Sequence, residues 1–113
     1  MINPRIVEYV DRILDDNVSA LYRNEPLAQD WARVAKVIEE AGEAIAELIS
    51  YTGQNPRKPH GDSAAYMRML AELADTAMTP IYAIQHFTKD VELTTGYLIA
   101  AQARHYERLG GKS

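Results

Sequence analysis

Apolar residues recur along this chain at helical spacing in four stretches. In the first, Ile6, Tyr9, Val10, Ile13, Leu14 and Leu21 keep that spacing up to about Tyr22. It begins at Asn3-Pro4, an N-cap followed by proline at the first helical position, where the missing N–H costs nothing. Asn24-Glu25-Pro26 breaks the pattern. A second helix is expected from about Leu27 to Tyr51, because Leu27, Trp31, Val34, Ile38, Ala41, Ile45 and Leu48 step by 4, 3, 4, 3, 4, 3. That stepping is a bundle seam with coiled-coil-like packing. Residues 52–62 hold two prolines, two glycines and the basic Arg57, Lys58 and His60, and read as a loop.

Asp62 or Ser63 then caps a third helix that reaches about Phe87, with Tyr66, Leu70, Leu73, Ala77, Ile81 and Ile84 as its apolar stripe. Pro80 is expected to remove one backbone hydrogen bond and bend this helix just after Asp75. A fourth helix runs from about Asp90 to Leu109 and stops at Gly110-Gly111. The pattern predicts one all-α, four-helix bundle-like domain spanning residues 1–113. A helix of 25 residues is about 37 Å long, so four in so short a chain leave a thin core. A homodimer or dimer of dimers is therefore expected, with each site completed at a subunit interface.

The polar positions carry a second register. Lys36, Glu40, Glu43 and Glu47 repeat the apolar stepping of helix two, displaced by two residues and hence about 200° around the axis. Arg68, Glu72, Asp75 and Thr79 do the same on helix three. Two antiparallel helices would bring four carboxylates together, and these repel unless a cation sits between them. Hard divalent cations prefer such oxygen ligands, so the pattern points to Mg²⁺, with Mn²⁺ as the alternative. Lys36 and Arg68 each precede an acid by four residues, which fits an ordinary ion pair or a contact to ligand oxygens.

Net charge is −4, which removes the basic surface that a nucleic-acid partner would need. The absence of cysteine excludes disulfides and thiolate metal sites. His86 and His105 have no partner at metal-ligand spacing, so zinc is not expected. Arg5, Glu8, Asp11 and Arg12 interrupt any signal-peptide core, and the longest apolar run, Tyr97 to Ala101, is too short for a membrane span. A cytoplasmic protein without a membrane partner is the expectation.

The pattern E-x-x-E, a spacer of 28 residues, then E-x-x-D resembles the all-α nucleoside triphosphate pyrophosphohydrolases of the MazG-like superfamily. The residues that carry it are Lys36-Val37-Ile38-Glu39-Glu40-Ala41-Gly42-Glu43 and Glu72-Leu73-Ala74-Asp75, and it covers roughly Trp31 to Arg108. The resemblance implies Mg²⁺ on Glu40, Glu43, Glu72 and Asp75, and a triphosphate facing Lys36 and Arg68. It also implies phosphate contacts from a basic pair on the last helix, a position that Arg104 and Arg108 fit. The spacer is at the long end, and Ala71 stands where some relatives carry another acid. Glu39, about 100° around the helix from Glu40, resembles the general base of some relatives. The implied reaction is Mg²⁺-dependent cleavage of a nucleoside triphosphate to monophosphate and pyrophosphate.

Trp31 could stack on a base, but its seam position favours the core. Arg57, Lys58 and His60 fit either a lid over phosphates or a solvated loop. Tyr97 or Tyr106 of a neighbouring subunit could wall a base. Rival readings are a relative acting on phosphoribosyl-nucleotides, a non-catalytic helical interaction module, and a di-iron carboxylate protein. The last would want Glu-x-x-His motifs, which neither cluster has.

Overall fold

A computed structural model describes residues 3–22, 25–54, 56, 57 and 61–111, the side chains at 17–22 and 26 excepted. Lys58, His60 and Asn24 lie outside the described residues, as does the side chain of Leu21. The chain is all-α: α1 (Pro4–Tyr22), α2 (Pro26–Thr52), α3 (Ala64–Thr88) and α4 (Val91–Arg108).

Local chemistry sets most of the boundaries. Asn3 Oδ1 accepts from the Arg5 N–H at 3.0 Å, and Pro26 opens α2 without a side-chain cap. Asp62 rather than Ser63 serves α3, accepting from the Ala64 N–H at 3.0 Å. Asp90 caps α4 through the Leu93 N–H. Gly53 ends α2 in the left-handed region that favours glycine. Gly61 (φ +79°) runs so close to α2 that a Cβ there would meet the Tyr51 carbonyl oxygen at 2.6 Å. Pro80 lies inside α3, which continues through it to Thr88.

α2 and α3 form an antiparallel hairpin. Tyr51 and Tyr66 lie with ring centroids 5.3 Å apart at its loop end, and Asp30 meets His86 at its open end. α1 packs on the open half, touching α2, α3 and α4, whereas α4 reaches α3 and α1 but not α2. The result is a layer of 47 × 46 × 22 Å. Its radius of gyration is 17.3 Å, against about 13 Å for an ordinary compact domain of this length.

That openness decides which stripes are buried. Ile81 and Ala83 of α3, flanked by α1 and α4, are buried, while Tyr66, Leu70 and Leu73 in the loop half are exposed. On α2 the seam faces outward: Trp31 is 76% and Ile38 77% exposed. Trp31, expected in the core, is therefore on the surface of the chain. What α2 turns inward is Arg33, Ala44 and the half-buried Glu40 and Glu47. In the loop half of the hairpin, Glu40, Glu47 and Glu72 are half-buried between the helices, while Ile45, Leu48, Leu70 and Leu73 of the apolar stripes are exposed.

Candidate metal and phosphate site

The polar registers place Glu40 and Glu43 of α2 opposite Glu72 of α3, and one oxygen from each lies within 4.8 Å of the others. Glu72 Oε2 is buried with no hydrogen-bond partner. Burial, a hydrogen bond with Glu43 and the negative charges of Glu43, Asp75 and Glu40 push the Glu72 carboxyl above its usual range. Without a cation, these surroundings favour the protonated form of Glu72. An all-oxygen set that strains toward protonation is a fit for a hard divalent ion. Asp75, the fourth expected ligand, lies one turn on and outside this converging trio. It borders the adjoining cavity together with Glu40. Thr76 and Thr79 donate to the carbonyl oxygens of Glu72 and Asp75, each at 2.7 Å, so their hydroxyls are committed to the backbone.

The expected phosphate cations are dispersed. Lys36 Nζ lies 3.1 Å from both Glu39 Oε1 and Glu40 Oε1, and these two carboxylates raise its pKa, Glu39 first. Glu39 itself is exposed, held beside the ligand set through Lys36. Arg68 donates at 2.9 Å to Asp62 and to Glu47, which raise its pKa in that order. It thus braces the loop end of the hairpin. Arg104 and Arg108 are exposed on α4, which does not reach α2, so the chain alone does not bring them to the carboxylates.

A cavity of about 570 Å³ opens beside the trio, between α1, α2 and α3. Lys36, Glu39, Glu40 and Asp75 line one part of it, and Val10, Leu14, Met78 and Tyr82 another, with Arg33 also in the wall. Arg33 and Tyr82 escaped the sequence reading, although a signal existed. The polar register extends backward on α2 from Lys36 by three to Arg33, and forward on α3 from Thr79 by three to Tyr82.

Arg33 belongs also to a second acid cluster, at the junction of α1, α2 and α3. Asp11, Asp15 and His86 bring ligand-type atoms within 4.8 Å of one another. Here the chain supplies the cations. Arg33 Nη2 lies 3.0 Å from Asp15 Oδ1, 2.9 Å from the Asp11 carbonyl oxygen and 3.0 Å from Asp11 Oδ1. The last is an ion pair without hydrogen-bond alignment. Lys89, a helix cap with φ 53°, donates to Asp11 Oδ2 at 2.9 Å and Asp15 Oδ2 at 2.6 Å. His86 bridges Asp15 (3.3 Å) and Asp30 (2.7 Å). Burial opposes the charge on Asp15, but Lys89, Arg33 and His86 outweigh it and hold that carboxyl below its usual range. No local spacing could have paired His86 with Asp15, because they are 71 residues apart.

Comparison of the chain with models of known protein families, with curated proteins and with solved structures gives no match. Among the described residues, no helix is long and apolar enough to cross a membrane.

Proposed function

We propose that this chain is a Mg²⁺-dependent nucleoside triphosphate pyrophosphohydrolase of MazG-like type, acting as a homodimer or dimer of dimers. One observation carries the reading: Glu72 Oε2 is buried without a partner inside a trio of carboxylates. Glu40, Glu43 and Glu72 hold the metal, and Asp75 approaches from the next turn. Bound Mg²⁺ supplies charge neutralisation for the leaving pyrophosphate and lowers the pKa of water.

The chain's own groups do the rest. Glu39, exposed at the cavity edge, accepts the proton of the attacking water. Lys36 exchanges its two carboxylate partners for phosphate oxygens. Arg68 does so too, leaving Asp62 and Glu47. Arg104 and Arg108 come from a second copy, since α4 does not reach α2 of its own chain. The outward seam of α2 supports that second copy, because Trp31 and Ile38 would otherwise stand in water. Phosphoryl cleavage of this kind needs positioning and neutralisation above all, which these groups offer.

The test is a panel of ribo- and deoxyribonucleoside triphosphates assayed for pyrophosphate release with Mg²⁺ and with chelator. Metal-dependent release of pyrophosphate is the expected result. Release of orthophosphate only, or no turnover at any metal concentration, overturns the reading.

A further inference from the structure

His86 is 9% exposed at the junction of α1, α2 and α3, and both of its ring nitrogens meet a carboxylate oxygen. Nδ1 lies 3.3 Å from Asp15 Oδ1 on α1, and Nε2 lies 2.7 Å from Asp30 Oδ1 on α2. An ionised carboxylate only accepts, so both contacts are hydrogen bonds only when both nitrogens carry hydrogen. A neutral imidazole has one N–H and must turn a lone pair on one of its two partners.

Charge points the same way. Among the described residues, the junction holds the carboxylates of Asp11, Asp15 and Asp30 and two fixed cations, Arg33 and Lys89. An imidazolium at His86 makes the count even. Glu8 and Arg12, also on α1, border the same shallow pocket as Asp11, Asp15 and Lys89 and offset each other. Asp90, where the chain enters α4, is occupied with the Leu93 N–H.

The two contacts are not equal. A lone pair on Nε2 would face the Asp30 oxygen at 2.7 Å, whereas one on Nδ1 would face Asp15 at 3.3 Å. Asp15 Oδ1 also accepts from Gln29 and Arg33, so it is still served when His86 withdraws. The neutral ring therefore keeps its hydrogen on Nε2 and gives up Asp15. What it gives up is a hold on α1. Val10 and Leu14, the neighbours of Asp11 and Asp15 in sequence, wall the cavity next to the carboxylate trio.

We propose that His86 is a pH-operated latch on α1. As the imidazolium it ties Asp15 of α1 to Asp30 of α2. When it loses its proton it stays with Asp30, and Asp15 is left to Arg33, Lys89 and Gln29. The cavity wall made by Val10 and Leu14 then loosens as pH rises. This latch acts on the wall whatever the cavity holds, so it stands or falls apart from the hydrolase reading.

The full chain is followed by ¹⁵N NMR and hydrogen exchange between about pH 5 and 8, where an imidazole ordinarily changes charge. Both His86 nitrogens should carry hydrogen at the acid end, and only Nε2 at the other. Over the same range the protection of α1 amides, corrected for intrinsic rate, should fall roughly 3- to 10-fold relative to α4 amides. A ring whose charge does not change, a neutral ring with its hydrogen on Nδ1, or α1 protection that does not move overturns the latch. Asp30→Asn gives the sharper arm. Its amide N–H serves a lone pair on Nε2, so the neutral ring can keep Nδ1–H on Asp15. In that variant the ring should still lose its charge, with the hydrogen left on Nδ1 and the α1 loss gone. A loss of α1 protection as large as in the wild type also overturns the proposal.

Discussion

Two acid clusters lie about two turns apart along α2, and they are built in opposite ways. At the junction, Asp11 and Asp15 meet Arg33 and Lys89 within ion-pair distance, and the Asp15 carboxyl is held below its usual range. At the trio, Glu72 Oε2 is buried with no hydrogen-bond partner, and burial together with the neighbouring Glu43, Asp75 and Glu40 pushes its carboxyl up. Lys36 reaches only the Glu40 edge. A cluster that carries its own cations is a brace between helices. One that carries fewer of them is where a cation from outside would gain most. Both clusters bring ligand-type atoms within 4.8 Å of one another, so charge balance is what separates them.

The largest effect expected is on catalysis. Glu40→Ala or Asp75→Ala should leave a folded protein with no measurable pyrophosphate release, because each removes a carboxylate that the proposed reaction brings to the metal. Loss of a mutually repelling carboxylate should leave the metal-free protein at least as stable. Glu39→Gln should instead lower turnover by roughly 10²–10⁴ while metal and nucleotide binding persist in calorimetric titrations. Full activity of both alanine variants at saturating Mg²⁺ would dissolve the contrast between the clusters.

The mirror experiment is Asp11→Ala. It strips one partner from a buried brace and leaves Asp15 to serve both Arg33 and Lys89, which costs up to about 3–5 kcal/mol. Chemical denaturation should show that loss directly. A stability change as small as that of Glu40→Ala would mean that the junction is no brace.

The difference between the clusters was only half legible in the sequence. The trio was readable because Glu40, Glu43 and Glu72 keep one helical register on two neighbouring helices. The helices themselves were readable from the same periodicity and from Asn3-Pro4, Asp62 and Gly110-Gly111 near their ends. The junction was not, because Lys89 and Asp11 are 78 residues apart and only the packing of α1 onto α3 joins them. Nor did periodicity say which stripe faces inward. The apolar seam of α2 reads as core in any single-chain bundle, and here it is outside.

That outward seam gives the next test. Ile38→Glu changes a side chain that is 77% exposed in the chain, so helix content and single-chain stability should scarcely move. If a second copy covers the seam, the same change should weaken association by about 2–4 kcal/mol, read by sedimentation equilibrium over a dilution series. An unaltered dimer would place the interface elsewhere.

The smallest effect expected is a pH dependence with opposite signs at the two clusters. The folded Asp15 carboxyl lies below its ordinary value of 3.8. Its contribution is therefore present at higher pH and lost as pH falls through the folded value. Lys89 is raised above 10.5 by Asp15 and Asp11 against the cost of its burial, so its contribution fails only as pH rises beyond that. Glu72 runs the other way. Its folded pKa lies above 4.5, so the folded state holds the proton more tightly, and stability falls as pH rises from 4.5 through the folded value. Thermal melts in chelator should show this decline, and Glu72→Gln, which cannot ionise, should abolish it. Mg²⁺ should also erase it, because metal binding competes with the proton on Glu72 and strengthens as that proton leaves. A Mg²⁺-induced rise in melting temperature that grew toward acid pH would contradict the assignment of the trio. The same rise in Glu72→Gln as in the wild type would remove Glu72 from the ligand set.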